Sequence, residues 1–402
     1  MSESNSNRRL GKTVVKAEDE ALLLCARIHL SSPDVARLRS RLTQPFDWDY
    51  LYKLARRHSL VPLVYFRLEH SVGSLVPPEV LKRFRKDYQE NAARNLVLTD
   101  ELNSVIKECA MAGIETIAFK GPALAKFAYG DLALRRFLDL DLMVRRADVL
   151  RAIDVLEVRG YVAAKTLSAS QQEVLLRTQH NLQFIRERLI VELHWQVSSE
   201  LFASSVTAEE LWQRLITIEL NGKQVRTLAT DDLLFSLCVH GSRHLWQGLA
   251  WICDIAQIVS RPDINWPSLM RRAKQTHTTR MFLLGLHLAR NLFDAPLPGS
   301  IIEAIDSDKR ISLLALEIIE HLFDSTDYQP AGLAAIFRYN FFVRNDWRSR
   351  ARYFRYMLAP TESDLAVLKV AGPLRFAYYL LRPFRLLTFA RPEPKAARPT
   401  NR

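Results

Sequence analysis

The chain has 402 residues, 48% of them hydrophobic, which is ample for a sizeable core and suggests two or three modules. No apolar run approaches the roughly 18 residues that span a bilayer, and the polar start Met1–Arg9 has no apolar segment directly behind it, which speaks against a signal peptide. A net charge of +12 suits anionic partners (nucleotide, nucleic acid or anionic lipid), but eight basic residues against Glu393 alone put +7 of it in the tail from Lys369 to Arg402.

Residues 1–18 are polar and read as disordered. From 19 to 112 the apolar residues recur at helical spacing, through Ala21–Cys25, Val35–Leu38, Leu51–Ala55 and the long segment Val80–Met111. Asp47 or Asp49 is placed to cap the helix that holds Leu51 and Leu54. Cys25, Cys109, Cys238 and Cys253 form no CxxC pair and read as reduced thiols of a cytoplasmic protein.

Residues 113–228 change character. Ile114–Phe119 reads as a strand after Gly113, a helix C-cap. Lys120-Gly121 follows, Pro122 opens a short helix to Tyr129, and Gly130 stops it. A glycine turn feeding a helix N-terminus offers N–H groups and a positive dipole end to an anion, and Lys120 adds a point charge. The same residues also make an ordinary strand-to-helix turn.

Phe137–Val144 then reads as a strand with Leu138, Leu140 and Leu142 on one face and Asp139 and Asp141 on the other. Two carboxylates this close resist ionisation unless a cation joins them, and Mg²⁺ takes such pairs together with phosphate oxygens. A solvated sheet face is the alternative for this tripeptide alone. Val149–Leu156 reads as a helix ended by Gly160. Asn181–Ile185 and Leu189–Trp195 read as a hairpin, with Glu192 and His194 sharing a face. Glu192 is a candidate third carboxylate, as metal ligand or base for an attacking hydroxyl, and His194 is either ligand or hydrogen-bonded scaffold. Asn221-Gly222 joins Ile216–Leu220 to Gln224–Leu228 in a second hairpin. The expectation is a small mixed sheet with helices on one side.

From 229 to 368 the chain reads helical again. A helix starting at Thr230–Asp232 is expected to run past His240, Arg243 and His244 to Trp246. His240 and His244 share a helix face, as a zinc pair or as surface histidines on a packed helix; a further reading has Arg243 and His244 facing the nucleotide or acceptor. Asp254 is a candidate ion-pair partner for that cluster. Further helices are expected over Leu269–Phe293, Asp306–Phe323 and Ala331–Phe342, and from Thr361–Asp364. Arg344–Arg355 interleaves arginines with Trp347, Tyr353 and Phe354; it suits a nucleic-acid backbone, or a solvated helix face with its aromatics packed inward, which is preferred. The tail 369–402 reads as a basic amphipathic segment, for a membrane surface or other anionic partner or for docking on the body.

The combination Lys120–Ala125, Tyr129-Gly130-Asp131, Arg136, Asp139-Leu140-Asp141-Leu142 and Glu192–Trp195 resembles the uncharacterised bacterial nucleotidyltransferases of the polymerase-β-like superfamily. The resemblance implies an α+β fold, with a small mixed-sheet nucleotidyltransferase core at 113–228 flanked by helical regions. It implies transfer of NMP, AMP in the first instance, from an NTP to an acceptor hydroxyl, with Mg²⁺ or Mn²⁺ and release of pyrophosphate. By it Asp139, Asp141 and Glu192 are the metal-binding and catalytic residues, and Lys120, Gly121, Arg136 and His194 bind nucleotide. Lys-Gly stands here where Gly-Ser is usual in the superfamily. No nucleic acid is obligate, and no transmembrane segment is expected. Two other readings stay open: a non-catalytic nucleotide or sugar-phosphate binding module, and a nucleic-acid binder working through the basic tail.

Overall fold

Five helices precede the sheet: α1 (Ala17–Cys25), α2 (Ser32–Leu42), α3 (Trp48–Arg57), α4 (Val61–Val72) and α5 (Pro78–Met111). They belong to a computed structural model that describes residues 16–27, 30–164, 169–200, 202–203, 208–324, 332–359 and 361. The first fifteen residues, the expected helix start beyond Thr361 and the basic tail 369–402 lie outside the described residues. The first helix begins inside the segment read as disordered, at Ala17. Asp47 caps α3 by accepting from the Tyr50 N–H at 2.9 Å. Ser31 and Asp34 cap α2 reciprocally, each taking the other's backbone N–H. After α5 the chain reverses at Gly113, whose φ of +69° is open to glycine at little cost.

The middle of the chain supplies β1 (Thr116–Ala118), α6 (Gly121–Tyr129), β2 (Leu140–Val144), α7 (Val149–Val158), β3 (Val162–Ala163), α8 (Ala169–Thr178), β4 (Asn181–Arg186), β5 (Leu189–His194), α9 (Ala208–Gln213), β6 (Ile216–Leu220) and β7 (Lys223–Thr227). Five strands form a mixed sheet in the order β1-β2-β5-β4-β3. Only β2 and β5 pair in parallel, with Asp141 opposite Glu192 and Met143 opposite His194. The fold is α+β, as expected, with one correction: β6 and β7 form a separate two-stranded sheet. Asn221 and Gly222, at φ 52° and 74°, supply the two positive dihedrals of a type I′ hairpin turn. The expected strand over 137–144 begins only at Leu140, and β3 and α8 were not anticipated from the sequence.

Among the described residues eight helices follow: α10 (Thr230–Arg243), α11 (Leu249–Val259), α12 (Trp266–Gln275), α13 (Thr279–Phe293), α14 (Gly299–Asp306), α15 (Lys309–Phe323), α16 (Leu333–Phe342) and α17 (Trp347–Leu358). The helix expected to reach Trp246 stops at Arg243. Leu245 and Trp246 take positive φ, of 53° and 54°, and turn the indole inward. Trp246 is fully buried against Gly241 and Gly285, where any Cβ would strike its ring. Its Nε1 donates to the Tyr339 hydroxyl at 3.1 Å. Burying a ring of this size, worth about 4–6 kcal/mol, is of the right order to offset the backbone strain of the two residues.

Two apolar clusters result. One packs the sheet with α5, α6 and α7. The other joins the helices before the sheet to those after it in a single core, from Ala21–Cys25 through Met281–Phe293 to Tyr353. Among the described residues no helix is long and apolar enough to cross a membrane.

Candidate functional site

The parallel pairing of β2 with β5 decides the local chemistry. In register, side chains of opposed residues project to the same face. Asp141 therefore stands beside Glu192, and His194 lies two residues further along the same face of β5. His194 Nε2 lies 3.0 Å from Asp141 Oδ1 and 3.4 Å from Glu192 Oε2. Asn181, from β4, donates to Glu192 Oε2 at 2.9 Å. Lys120 Nζ donates to Asp141 Oδ1 at 2.7 Å. The Asp141 side chain is 4% exposed and that of Lys120 14%.

Among the described residues, Asp141, Glu192 and His194 form the group of side chains whose ligand atoms lie close enough to share a metal, all within 4.8 Å. Asp139 is outside that group. It precedes the first paired residue of β2, so the pleat does not fix its direction. It is nonetheless coupled to the site electrically. Burial, then the Asp141 and Glu192 charges, push its carboxyl up to about 6. Asp141 moves the opposite way: burial opposes ionisation, but the Lys120 ammonium and the hydrogen bond with His194 outweigh it and hold the carboxyl below its ordinary range. Burial likewise opposes ionisation of Glu192, but its hydrogen bond with His194 and the His194 and Lys120 charges together outweigh it and hold the carboxyl below its ordinary range. For His194, burial favours the neutral ring, and the bonds with Asp141 and Glu192 reverse the balance upward.

The donor set suits a hard divalent cation. Three carboxylates lie near one lysine and one imidazole drawn toward its charged form, so acidic groups outnumber basic ones, and a low-dielectric surround makes any uncompensated charge costly. The carboxylate oxygens suit hard cations such as Mg²⁺ or Mn²⁺, and a coordinating imidazole would also suit Zn²⁺.

The turn that carries Lys120 is tightly specified. Gly121 has φ +52°, and a Cβ there would stand 3.0 Å from the Asp139 carbonyl oxygen. Any other residue would be strained and would push on the approach to β2. The amide supply expected of this helix start shrinks, however. Pro122 has no N–H, and the Ala123 and Leu124 N–H groups both donate to the Lys120 carbonyl. That leaves the Gly121 amide.

Arg136, expected to contact phosphate or brace the loop, is half-buried and places its charge near Arg94. Its neighbour braces the loop. Arg135 forks onto Asp254 of α11, Nε and Nη2 each 2.9 Å from a carboxylate oxygen. Tyr129 donates to the same carboxylate at 2.7 Å. These bonds correct the expected pairing of Asp254 with the α10 histidines. From the other side, Asn95 of α5 donates to the Leu132 and Arg135 carbonyls at 2.6 and 2.8 Å, and Asn91 to that of Ala133 at 3.0 Å. The segment between α6 and β2 is thus clamped between α5 and α11. Two asparagines four apart in a long helix, where asparagine is a poor former, were the available signal.

Sequence reasoning also passed over His180. It is 2% exposed, touches Arg243 of α10 through Nε2, and its ring lies 5.8 Å from that of His194. The His240 and His244 rings lie tilted at 4.5 Å and both pack on Trp251. Burial, then the Lys120 charge, favour the neutral His240 ring, and the Arg243–His180 contact brings α10 to the edge of the site.

A family model described as an uncharacterised nucleotidyltransferase matches residues 44–294. A solved structure titled an antigenic nucleotidyltransferase-like protein from Paracoccidioides brasiliensis is similar at 14% identity over 57% of this chain and 97% of its own, with a TM-score of 0.29. A superposition that loose fixes no residue correspondence. Comparison with curated proteins returns no match.

Proposed function

The chain belongs to the uncharacterised nucleotidyltransferase family, and we propose that it moves an NMP group, AMP in the first instance, from an NTP to an acceptor hydroxyl with release of pyrophosphate. One observation carries this reading: Asp141 and Glu192 stand in register on adjacent parallel strands, with His194 Nε2 within 3.4 Å of both.

In this reading Asp141 and Glu192 hold Mg²⁺ or Mn²⁺, with Asp139 completing the carboxylate set. The ion supplies charge neutralisation at the phosphates. Lys120 exchanges its bond to Asp141 for a phosphate oxygen, and the Gly121 N–H donates beside it. His194 orients both carboxylates through Nε2. Glu192, held below its ordinary range, serves better as a ligand than as a proton acceptor. Arg136 stays an electrostatic helper at the rim, while Arg135 holds the approach to β2 in place. Catalysis then rests on positioning and charge compensation.

Incubation with α-labelled NTPs and either metal, across candidate acceptors, tests the reading. Label transfer with stoichiometric pyrophosphate, lost in Asp141→Asn and in Glu192→Gln, is the expected result. Undiminished transfer by either variant removes the assigned roles.

The Lys120–Asp141 bond favours a second reading, since it lets the site compensate part of its charge internally. A non-catalytic nucleotide or sugar-phosphate binding module would use Lys120 and Gly121 without turnover. Calorimetric binding of NTP with no pyrophosphate release across the acceptor panel would select it.

A further inference from the structure

Helices α16 and α17 turn a run of large apolar and aromatic side chains outward on one face. Leu333, Phe337 and Phe341 recur every fourth residue along α16 and are 43%, 46% and 40% exposed. Only Tyr339 and Asn340 of this helix are buried, and Arg338 is its single charge. On α17, Trp347 is 71% and Phe354 57% exposed, which corrects the expected inward packing: of the aromatics named from the sequence, Tyr353 alone turns in. Arg344 also leaves the expected solvated face and is fully buried, donating to the Asn340 and Phe202 carbonyls.

The two exposed faces are continuous. Arg350 donates to the Phe341 carbonyl at 3.1 Å and lies 4.3 Å over its ring. Trp347, Arg350 and Phe354 occupy positions i, i+3 and i+7, one stripe of α17. From Trp347 to Leu358 there are four arginines and no acid. Among the described residues, Arg348, Arg352 and Arg355 have no carboxylate within ion-pair distance; this region's pairs are those of Arg338 and of Asp346.

We propose that this face docks on an anionic membrane surface. A bilayer interface offers an apolar layer for Leu333, Phe337 and Trp347 and, a few ångströms above it, negative headgroups for the α17 guanidiniums. Charge complementarity separates this partner from the others. Residues 332–402 hold fourteen Lys and Arg against four Asp and Glu. A second copy, or the chain's own tail, would therefore bring basic surface onto basic surface. RNA would meet a single arginine on α16 and a broad aliphatic-aromatic strip with little to neutralise phosphate. Aromatic rings at the rim and unpaired arginines beside them match the composition of interfacial segments. The surface lies outside the nucleotide site and does not depend on its chemistry.

Flotation of the full chain with vesicles tests this, using phosphatidylcholine alone and phosphatidylcholine mixed with phosphatidylglycerol. The protein should float with the anionic vesicles, stay behind with the neutral ones, and detach as salt rises. Replacing Arg348 and Arg355 by Ala should weaken partitioning about fivefold per arginine. Trp347→Ala with Phe354→Ala should weaken it about tenfold. All four positions are exposed or edge the surface, and circular dichroism checks that the variants fold. Failure to float with anionic vesicles overturns the proposal, as does flotation that neither pair of changes weakens. So does a concentration-dependent dimer in sedimentation that the Trp347 and Phe354 changes abolish, or RNA binding that the arginine changes abolish while vesicles go unbound.

Discussion

Two buried aspartates of this protein sit among similar partners and behave in opposite ways. Asp254 is fully buried and receives both prongs of Arg135 and the Tyr129 hydroxyl, all at 2.7–2.9 Å. One negative charge meets one positive charge, and both of its oxygens are satisfied. Asp141, 4% exposed, has Lys120 at 2.7 Å and His194 at 3.0 Å, but Glu192 and Asp139 crowd the same positive charge. The first centre is closed and ties α6 and its following loop to α11. The second has a surplus of carboxylate that the protein does not neutralise by itself. Burial and the presence of a basic partner do not separate a tie from a site; the balance of charge around the partner does.

Substitutions can break this contrast, beginning with the largest effect. Asp141→Asn should lower nucleotidyl transfer by at least about a thousandfold, roughly 4 kcal/mol of transition-state stabilisation, whereas Asp254→Asn in a folded sample should leave a much larger share. Single-turnover assays with labelled NTP decide between them. Stability should rank the two in reverse. Asp254→Asn leaves Arg135 buried without its counter-charge and should cost about 3 kcal/mol in urea unfolding; a loss below the error of the fit would show that the fork is not a tie.

Asp139 sharpens the comparison because its sign differs. Its folded carboxyl, at about 6, lies above the ordinary value of 3.8. The folded state therefore binds the proton more tightly than the unfolded one. The cost of ionising Asp139 is present in full above about pH 6, shrinks as pH falls toward 3.8, and is absent below it. Asp139→Asn should then stabilise the metal-free protein at pH 7.5 by about 3 kcal/mol, with the gain fading between pH 6 and 4. Thermal unfolding across that range measures it, and a destabilised variant at pH 7.5 would contradict the surplus. Added Mg²⁺ or Mn²⁺ should stabilise wild type more than the variant.

Two smaller effects test the frame rather than the charges. Gly121→Ala, at φ +52° and 3.0 Å from the Asp139 carbonyl, should cost about 1–2 kcal/mol and displace the approach to β2, seen as transfer loss beyond that stability change. Asp47→Ala removes the α3 cap far from both centres; it should cost about 1 kcal/mol and leave transfer unchanged.

Part of what rested on local periodicity was legible in the sequence, though it overran the start of β2 and so put Asp139 on the Asp141 face. The period of two placed Asp141 on one face of β2 and Glu192 with His194 on one face of β5, and Asn221-Gly222 announced its hairpin. The parallel pairing of β2 with β5 was not legible, because strand order follows from packing and not from either strand. The Arg135–Asp254 pair spans 119 residues, and nothing near Arg135 distinguishes it from Arg136. The end of α10 was misread because Leu245 and Trp246 carry no turn signal; the glycines that make room for the indole, Gly241 and Gly285, stand elsewhere in the chain. On α17 the alternation of arginine and aromatic residues fits an inward or an outward ring equally well, and only the neighbouring helices settle which.

The single core shared by helices on both sides of the sheet has a consequence for biosynthesis. Residues Ala21–Cys25 are buried in company with α11 and α13, and Cys253 Sγ donates to the Ala26 carbonyl at 3.3 Å. A ribosome adds about 5–20 residues per second, so the nascent first helix waits on the order of tens of seconds before its neighbours emerge. During that interval its leucines have no native shelter. The youngest protein is the most vulnerable one, and dependence on a holding chaperone should fall once Phe293 has cleared the exit tunnel.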